Sequence, residues 1–275
     1  MTVDFTSTPT RSLPTADGSL AYRAAGSGSP LVFVHGGFLD HRMWAEQIRA
    51  FAPHHRVIAY DVRGHGGSAN ASGAYRDADD LAALLRGLHA APAVLVGLSM
   101  GGAIAVDCVL EYPELVRAVV VSGVGTSEPV FEDPWVLKVF ADQERALAAG
   151  DLEGWVDAFQ RFTVGPHRDP ADVSADVLRR IREMALNTLA KHTADEPLHR
   201  VPVTATWERA PHIAVPLCAI NGALDAPDHL AMATRLTDLV PGARAVTVPG
   251  AAHYPNVDNP ARFDAELSAF LGELP

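Results

Sequence analysis

The chain has 275 residues, 48% of them hydrophobic, and a formal net charge of −11. That length can bury a sizeable core as one domain, or as one domain with an insertion, and the apolar content argues against disorder. The acidic balance argues against nucleic acid and anionic membrane as partners, because both select basic surfaces, and leaves a neutral small molecule open.

Met1 to Pro14 contains Asp4 and many hydroxyl residues but no basic segment followed by an apolar one, so no secretory signal is expected. No apolar run approaches the length of a membrane span, and the expected location is the cytoplasm. Ser19 to Ala25 reads as a short strand, Gly26 to Pro30 as a turn, and Leu31 to Val34 as a buried strand that exits into His35-Gly36-Gly37-Phe38. The glycine pair allows close backbone approach to another loop, which makes the Gly37 N–H a candidate oxyanion donor. Taken alone, the same residues make an ordinary strand-exit turn.

Asp40 to Phe51 reads as a helix capped by Asp40, with Met43, Trp44, Ile48 and Phe51 on one face, and Arg56 to Tyr60 as the next strand. The glycine-rich turn Asp61 to Ser68 has no P-loop spacing and no lysine, so it reads as structural, with Asp61 and Arg63 expected to pair. Tyr75 to Ala90 follows as a helix through Leu81, Leu84, Leu85 and Leu88.

The next stretch offers a nucleophile, although its five-residue pattern taken alone equally suits a Gly-Ser turn with no chemistry. Ala93 to Val96 suits a buried parallel strand, and Gly102 to Tyr112 suits a helix, with G-x-S-x-G at Gly97 to Gly101 between them. A serine projecting from a strand-to-helix reversal needs glycines beside it, because neighbouring side chains would collide. The new helix brings unpaired N–H groups and a positive dipole end to the Ser99 oxygen, so Ser99 is the candidate nucleophile and the Met100 N–H a candidate donor.

Arg117 to Ser122 is another apolar strand, after which strand–helix alternation stops. From Thr126 to Pro211 the segments Trp135 to Ala149, Leu152 to Phe162 and Ala175 to Ala190 are helical and no strand-like run occurs. One long helical insertion in an alternating fold reads most simply as a lid over the strand ends, where ligands of such sheets bind. The expected division is therefore a core at 1–125 and 212–275 with a cap at 126–211. Most of the insertion's aromatics suit its own core. Trp135, Trp155 and Phe159, with Phe38 and Tyr254, are the expected pocket residues, and the same aromatics could serve a contact in a homodimer.

Alternation resumes with the strand Val215 to Ile220, then Asp225 just beyond its end, a helix at Asp228 to Val240, the strand Ala243 to Val248, His253 in the following loop, and a closing helix at Asn259 to Leu274. Ser99, Asp225 and His253 each follow a different strand of one parallel sheet and converge on its edge. Asp228 is a rival acid, which fits better as the N-terminal carboxylate of the next helix.

With serine, acid and histidine in that order, the chain resembles the α/β-hydrolase family over nearly its whole length. The resemblance is carried by His35-Gly36, Asp61-x-Arg63-Gly64-x-Gly66-x-Ser68, the Ser99 pentapeptide, Gly222-x-x-Asp225 and Gly250-x-x-His253. It implies an α/β-hydrolase fold, a mostly parallel sheet flanked by helices with a helical lid. It also implies that Ser99 attacks an acyl carbon, His253 takes its proton, Asp225 orients His253, and the Gly37 and Met100 N–H groups hold the oxyanion. Many relatives carry a bulky residue at the position of Gly37, so Phe38 is expected to build that wall instead.

Relatives that open epoxides or remove halides use Asp where this chain has Ser99, which leaves esters, lactones, thioesters or carbon–carbon cleavage of a diketone. His35 to Trp44, Leu98 to Gly102, Ala252-His253 and Asn256-Val257 look most like small bacterial arylesterases and enol-lactonases. The expected activity is a serine hydrolase on a small or medium, mostly apolar ester or lactone. A carbon–carbon hydrolase of aromatic catabolism and a slow-turnover ligand-binding homologue are the alternatives. No metal-ligand spacing occurs, so neither a metal nor an organic cofactor is expected. His35 reads as a structural hydrogen-bonder, and His54, His55, His65, His192 and His212 as surface or loop residues. Cys108 and Cys218 suit buried positions, with no disulfide implied.

Overall fold

The computed structural model describes residues 8–193 and 195–275. Among them an eight-stranded sheet runs in the order β1-β2-β4-β3-β5-β6-β7-β8. Its members are β1 (Arg11–Pro14), β2 (Ser19–Ala25), β3 (Pro30–Val34), β4 (Arg56–Tyr60), β5 (Ala93–Leu98), β6 (Val116–Ser122), β7 (Leu217–Gly222) and β8 (Arg244–Val248). Strands β1 and β2 pair antiparallel, as do β2 and β4, and every pairing from β4 to β8 is parallel.

Because successive side chains point to opposite faces of a strand, the apolar runs of the central strands supply two cores. Leu31, Phe33, Val94 and Val96 face one way, against Ile48 and Phe51 of α1 (Ala45–Phe51). Val32, Val34, Leu95 and Val119 face the other, against α2 (Asp77–Gly87) and α3 (Met100–Glu111). Helices α4 (Pro134–Ala148), α5 (Leu152–Val164), α6 (Ala175–Leu189) and the short α7 (Thr206–Arg209) all lie between β6 and β7 in the chain. Helix α8 (Pro227–Leu239) joins the second core, while α9 (Pro255–Asp258) and α10 (Pro260–Glu273) close the first. No helix among the described residues is long and apolar enough to cross a membrane.

Four local expectations differ from the structure. Strand β1 carried no signal, since its four residues are largely exposed and polar; it exists through its antiparallel register with β2. The stretch after Asp40 opens as a 3-10 turn at His41–Trp44, with the Asp40 carboxylate accepting from the Arg42 N–H, and only then becomes α1. Strand β7 runs two residues later than expected, so Asn221 and Gly222 belong to it. Asp61 and Arg63 do not pair. The Asp61 carboxylate turns under the glycine turn to accept from the Gly67 N–H and from His41, whereas the Arg63 guanidinium forks onto both oxygens of Asp80 on α2, at 2.7 and 2.8 Å. A planar fork meeting a carboxylate edge-on is the stronger arrangement.

Candidate active site

Four loops at the carboxyl end of the parallel strands, after β3, β5, β7 and β8, build the site. Between β5 and α3, Ser99 sits at φ 53° and ψ −122°, a conformation that non-glycine residues seldom hold. Its own N–H is anchored on the Ser122 carbonyl at 2.7 Å. The reversal is tight enough to require glycine on both sides. A Cβ on Gly97 would stand 2.1 Å from the Gly101 carbonyl oxygen, and one on Gly101 would stand 2.2 Å from that of Val34. Met100 is the first residue of α3, so its N–H is one of the terminal donors with no intrahelical acceptor.

The loop after β3 brings Gly37 against this turn. A Cβ there would meet Met100 only at 3.9 Å, so the missing side chain leaves this wall open without being forced by sterics. The next residue, Phe38, holds φ 61°, turns its ring onto Trp155 at 4.5 Å and is one-third exposed.

Asp225 follows β7 and His253 follows β8, and their side chains meet. His253 Nδ1 donates to Asp225 Oδ2 at 2.9 Å, both residues being buried. The other carboxylate oxygen accepts from the Ala226 N–H at 2.7 Å and from Nδ1 of His229 at 2.9 Å. The two imidazoles therefore share one carboxylate, stacked with centroids 4.1 Å apart and planes 26° from parallel. Burial pushes the Asp225 carboxyl towards the neutral form, but the two imidazoles outweigh it and hold the acid below the usual carboxylate range. Burial lowers the pKa of His253, opposed by the Asp225 charge and assisted by His229. The rival Asp228 faces away, accepting from the N–H groups of Glu132 and Asp133 at 3.0 and 2.9 Å.

Ser99, His253, Gly37, Met100, Phe38, Phe159 and Tyr254 border one cavity of about 150 Å³. Helices α4 and α5 and the loop before them close it with Phe131, Phe140, Gln143, Phe159 and Phe162. Trp155 and Trp135 do not border it. Trp155 stacks behind Phe159, 5.3 Å between centroids, and Trp135 meets Phe162 edge-on at 5.7 Å beneath the Arg161 guanidinium, so both fix the lining rings from behind. Chemically, a hydroxyl held at a helix head and an imidazole oriented by a carboxylate can perform nucleophilic attack with proton transfer, and helix-end N–H groups can stabilise an oxyanion.

Residues 31–266 match the Alpha/beta hydrolase family. The chain belongs to that family. It is 25% identical over 265 residues to a pimeloyl-[acyl-carrier protein] methyl ester esterase of Aliivibrio fischeri, covering 93% of this chain and 98% of that protein. It is 27% identical over 254 residues to a 2-(acetamidomethylene)succinate hydrolase of Mesorhizobium japonicum, covering 88% and 87%. Among solved structures, the enol-lactonase from Burkholderia xenovorans LB400 superposes with a TM-score of 0.75 at 25% identity, over 96% of this chain and all of that one. The fold is thus an α/β-hydrolase fold, and its relatives include small bacterial esterases and a lactonase.

Against the family's pattern, three contributors to this site went unread in the sequence. His229 lies four residues after Asp225, a spacing that returns it to the acid once α8 begins at Pro227. Gln143 interrupts the stripe Val136, Val139, Phe140 on α4 with a polar side chain. Gly123, at φ 81°, leaves room for the His253 ring, which a Cβ would meet at 2.6 Å. Among the described residues, ligand atoms converge within 4.8 Å in two sets, Asp225 with His229 and His253, and Asp40 with His41 and Asp61. In both, imidazole Nδ1 atoms already donate to a carboxylate, so a metal ion would have to displace those protons. His35 accepts the Val62 N–H at its Nε2, and His65 is packed in its loop 5.1 Å from the His35 ring, where burial pushes its pKa down to about 3.

Proposed function

We propose that this chain is a serine hydrolase that cleaves a small, mostly apolar carboxylic ester or lactone through an acyl-enzyme. Ser99 Oγ attacks the acyl carbon while His253 Nε2 takes its proton, and Asp225, bonded to Nδ1, fixes the tautomer and stabilises the imidazolium that forms. The N–H groups of Gly37 and Met100 receive the oxyanion. His253 then returns the proton to the departing alkoxide, and a water activated by the same ring hydrolyses the acyl-enzyme. For a lactone the alkoxide stays tethered to the acyl group, and the steps are otherwise the same. We read 126–211 as the cap, since Phe140, Gln143, Phe159 and Phe162 from its helices roof the cavity.

One observation carries this reading: an imidazole bonded to a buried carboxylate borders the same cavity as a serine held at positive φ at the head of a helix. The esterase and lactonase named above support the substrate class. The test is hydrolysis of p-nitrophenyl esters and simple lactones by wild type and by Ser99→Ala. Turnover should be lost in the variant with its melting temperature retained. A wild type inert to esters and lactones but active on a vinylogous diketone would replace this reading with carbon–carbon cleavage.

A further inference from the structure

The mechanism above leaves polar side chains of the cavity lining unused, and Gln143 is the one that the helical roof contributes. Gln143 is 8% exposed, borders the cavity, and its side-chain amide makes no hydrogen bond with any described residue. The amide atoms are not fully sealed, so they retain accessible surface in a residue that lines the cavity. The neighbours on that side are phenylalanines: Phe140 lies one turn earlier on α4, and Phe131 and Phe162 pack on Phe140 at 4.9 and 5.7 Å. A leucine at this position would serve the helix as well and the apolar wall better. An amide kept there without a partner is unfavourable until a ligand supplies one.

The cavity's other features restrict that ligand. Among the described residues no lysine or arginine borders it, so a carboxylate entering it would lose its hydration without gaining the counter-charge of a lysine or arginine. The one carboxylate nearby, Asp225, is already satisfied by two imidazoles and the Ala226 N–H. The volume, about 150 Å³, suits a benzene-sized group. We propose that Gln143 is a specificity-determining residue, and that the group entering this cavity is compact, uncharged and apolar except for one hydrogen-bonding function, a carbonyl, amide or hydroxyl, that the Gln143 amide receives. The proposal rests on the ester and lactone reading for its chemistry, but the binding it describes is measurable without turnover.

The test compares p-nitrophenyl hexanoate with its 4-oxo and 5-oxo analogues and with the mono-p-nitrophenyl ester of glutaric acid, on wild type, Gln143→Leu and the near-isosteric Gln143→Met. One neutral hydrogen bond corresponds to about three- to tenfold in kcat/KM. Wild type should favour at least one oxo ester over hexanoate by that factor and disfavour the glutarate ester by tenfold or more, and both variants should bring the oxo-to-parent ratio to about one. An unchanged ratio in both variants, or a glutarate ester preferred by wild type, would overturn the proposal. If wild type hydrolyses neither these esters nor simple lactones, the function proposed above fails, while this inference is still decided by the binding of benzamide followed by ligand-observed NMR. Affinity should drop about three- to tenfold in both variants, and equal affinity would refute the role of Gln143.

Discussion

Replacing Gly123 by alanine displaces the His253 ring without adding or removing any ionisable group. Gly123 follows β6 at φ 81°, with its N–H held by Asn221 Oδ1 at 2.9 Å, so the backbone has little freedom to retreat. An alanine there meets two separate costs. The left-handed conformation costs about 1–2 kcal/mol for a residue with a Cβ. The new methyl would stand 2.6 Å from His253 Cε1 and 2.9 Å from Nδ1. Carbon atoms pack at about 3.5–4.0 Å, so ring and methyl must part by roughly 1 Å.

A displacement of that size in a proton-transferring ring costs about 100-fold in turnover, whereas the backbone term lowers the melting temperature by only a few degrees. Gly150→Ala separates the two effects. Gly150 has φ 69° and open space where its Cβ would go, so that variant carries the backbone strain without the contact. Steady-state hydrolysis of a p-nitrophenyl ester, with thermal unfolding measured in parallel, reads both quantities. Gly123→Ala should lose about 100-fold in kcat and Gly150→Ala should keep it, with similar small losses in melting temperature. A Gly123→Ala enzyme within threefold of wild-type kcat would refute the claim that the His253 position is set by this contact.

Three further outcomes follow from the electrostatics. Burial lowers the His253 pKa, and the ring works as a base only when neutral, so kcat/KM should rise on the acid side with a midpoint below the ordinary value of about 6.5; a midpoint above it would contradict this account of the base. His229→Phe keeps an aromatic ring on His253 but removes both the second donor to Asp225 and the second imidazole. Each change favours the His253 imidazolium, so the acid limb should move to higher pH, and a profile that superposes on wild type after scaling would leave His229 a packing role only. Burial would raise the Asp61 carboxyl, but the hydrogen bond and charge of His41, with His35, bring it down to about 2. The folded-state pKa thus lies below the unfolded one, so Asp61 contributes roughly 2 kcal/mol that is fully present above about pH 4 and lost as the pH falls through 2. Urea unfolding should show Asp61→Asn losing less stability than wild type between pH 4 and 2, and parallel curves would disprove the linkage.

Much of the architecture was legible because local sequence and tertiary demand coincide there. The Gly97 position is dictated by backbone overlap within a few residues, that of Gly101 by the Val34 carbonyl at the end of β3, and the central strands are apolar on both faces because both are covered. The placement of Asp225 and His253 followed from strand ends alone. What escaped depended on partners distant in the chain. Arg63 chose Asp80 over Asp61 because α2 offered a carboxylate edge to its fork, and β1 became a strand only by pairing with β2. Trp135 and Trp155 looked like pocket residues by type, but the helix faces that carry them put Phe162 and Phe159 in front. The second imidazole on Asp225 was missed because the helix expected from Asp228 contained His229 without showing which way it faces, and only the fold turns that first turn of α8 back onto the acid.

The most direct test of the central claim is covalent capture: intact mass of the wild type and of Ser99→Ala after exposure to a p-nitrophenyl phosphonate, with the modified peptide sequenced. One phosphonyl group should appear on the wild type, on Ser99, with hydrolysis lost in step, and none should appear on the variant. Labelling that persists in Ser99→Ala, or full hydrolysis after Ser99 is occupied, would contradict the assignment of Ser99 as the nucleophile.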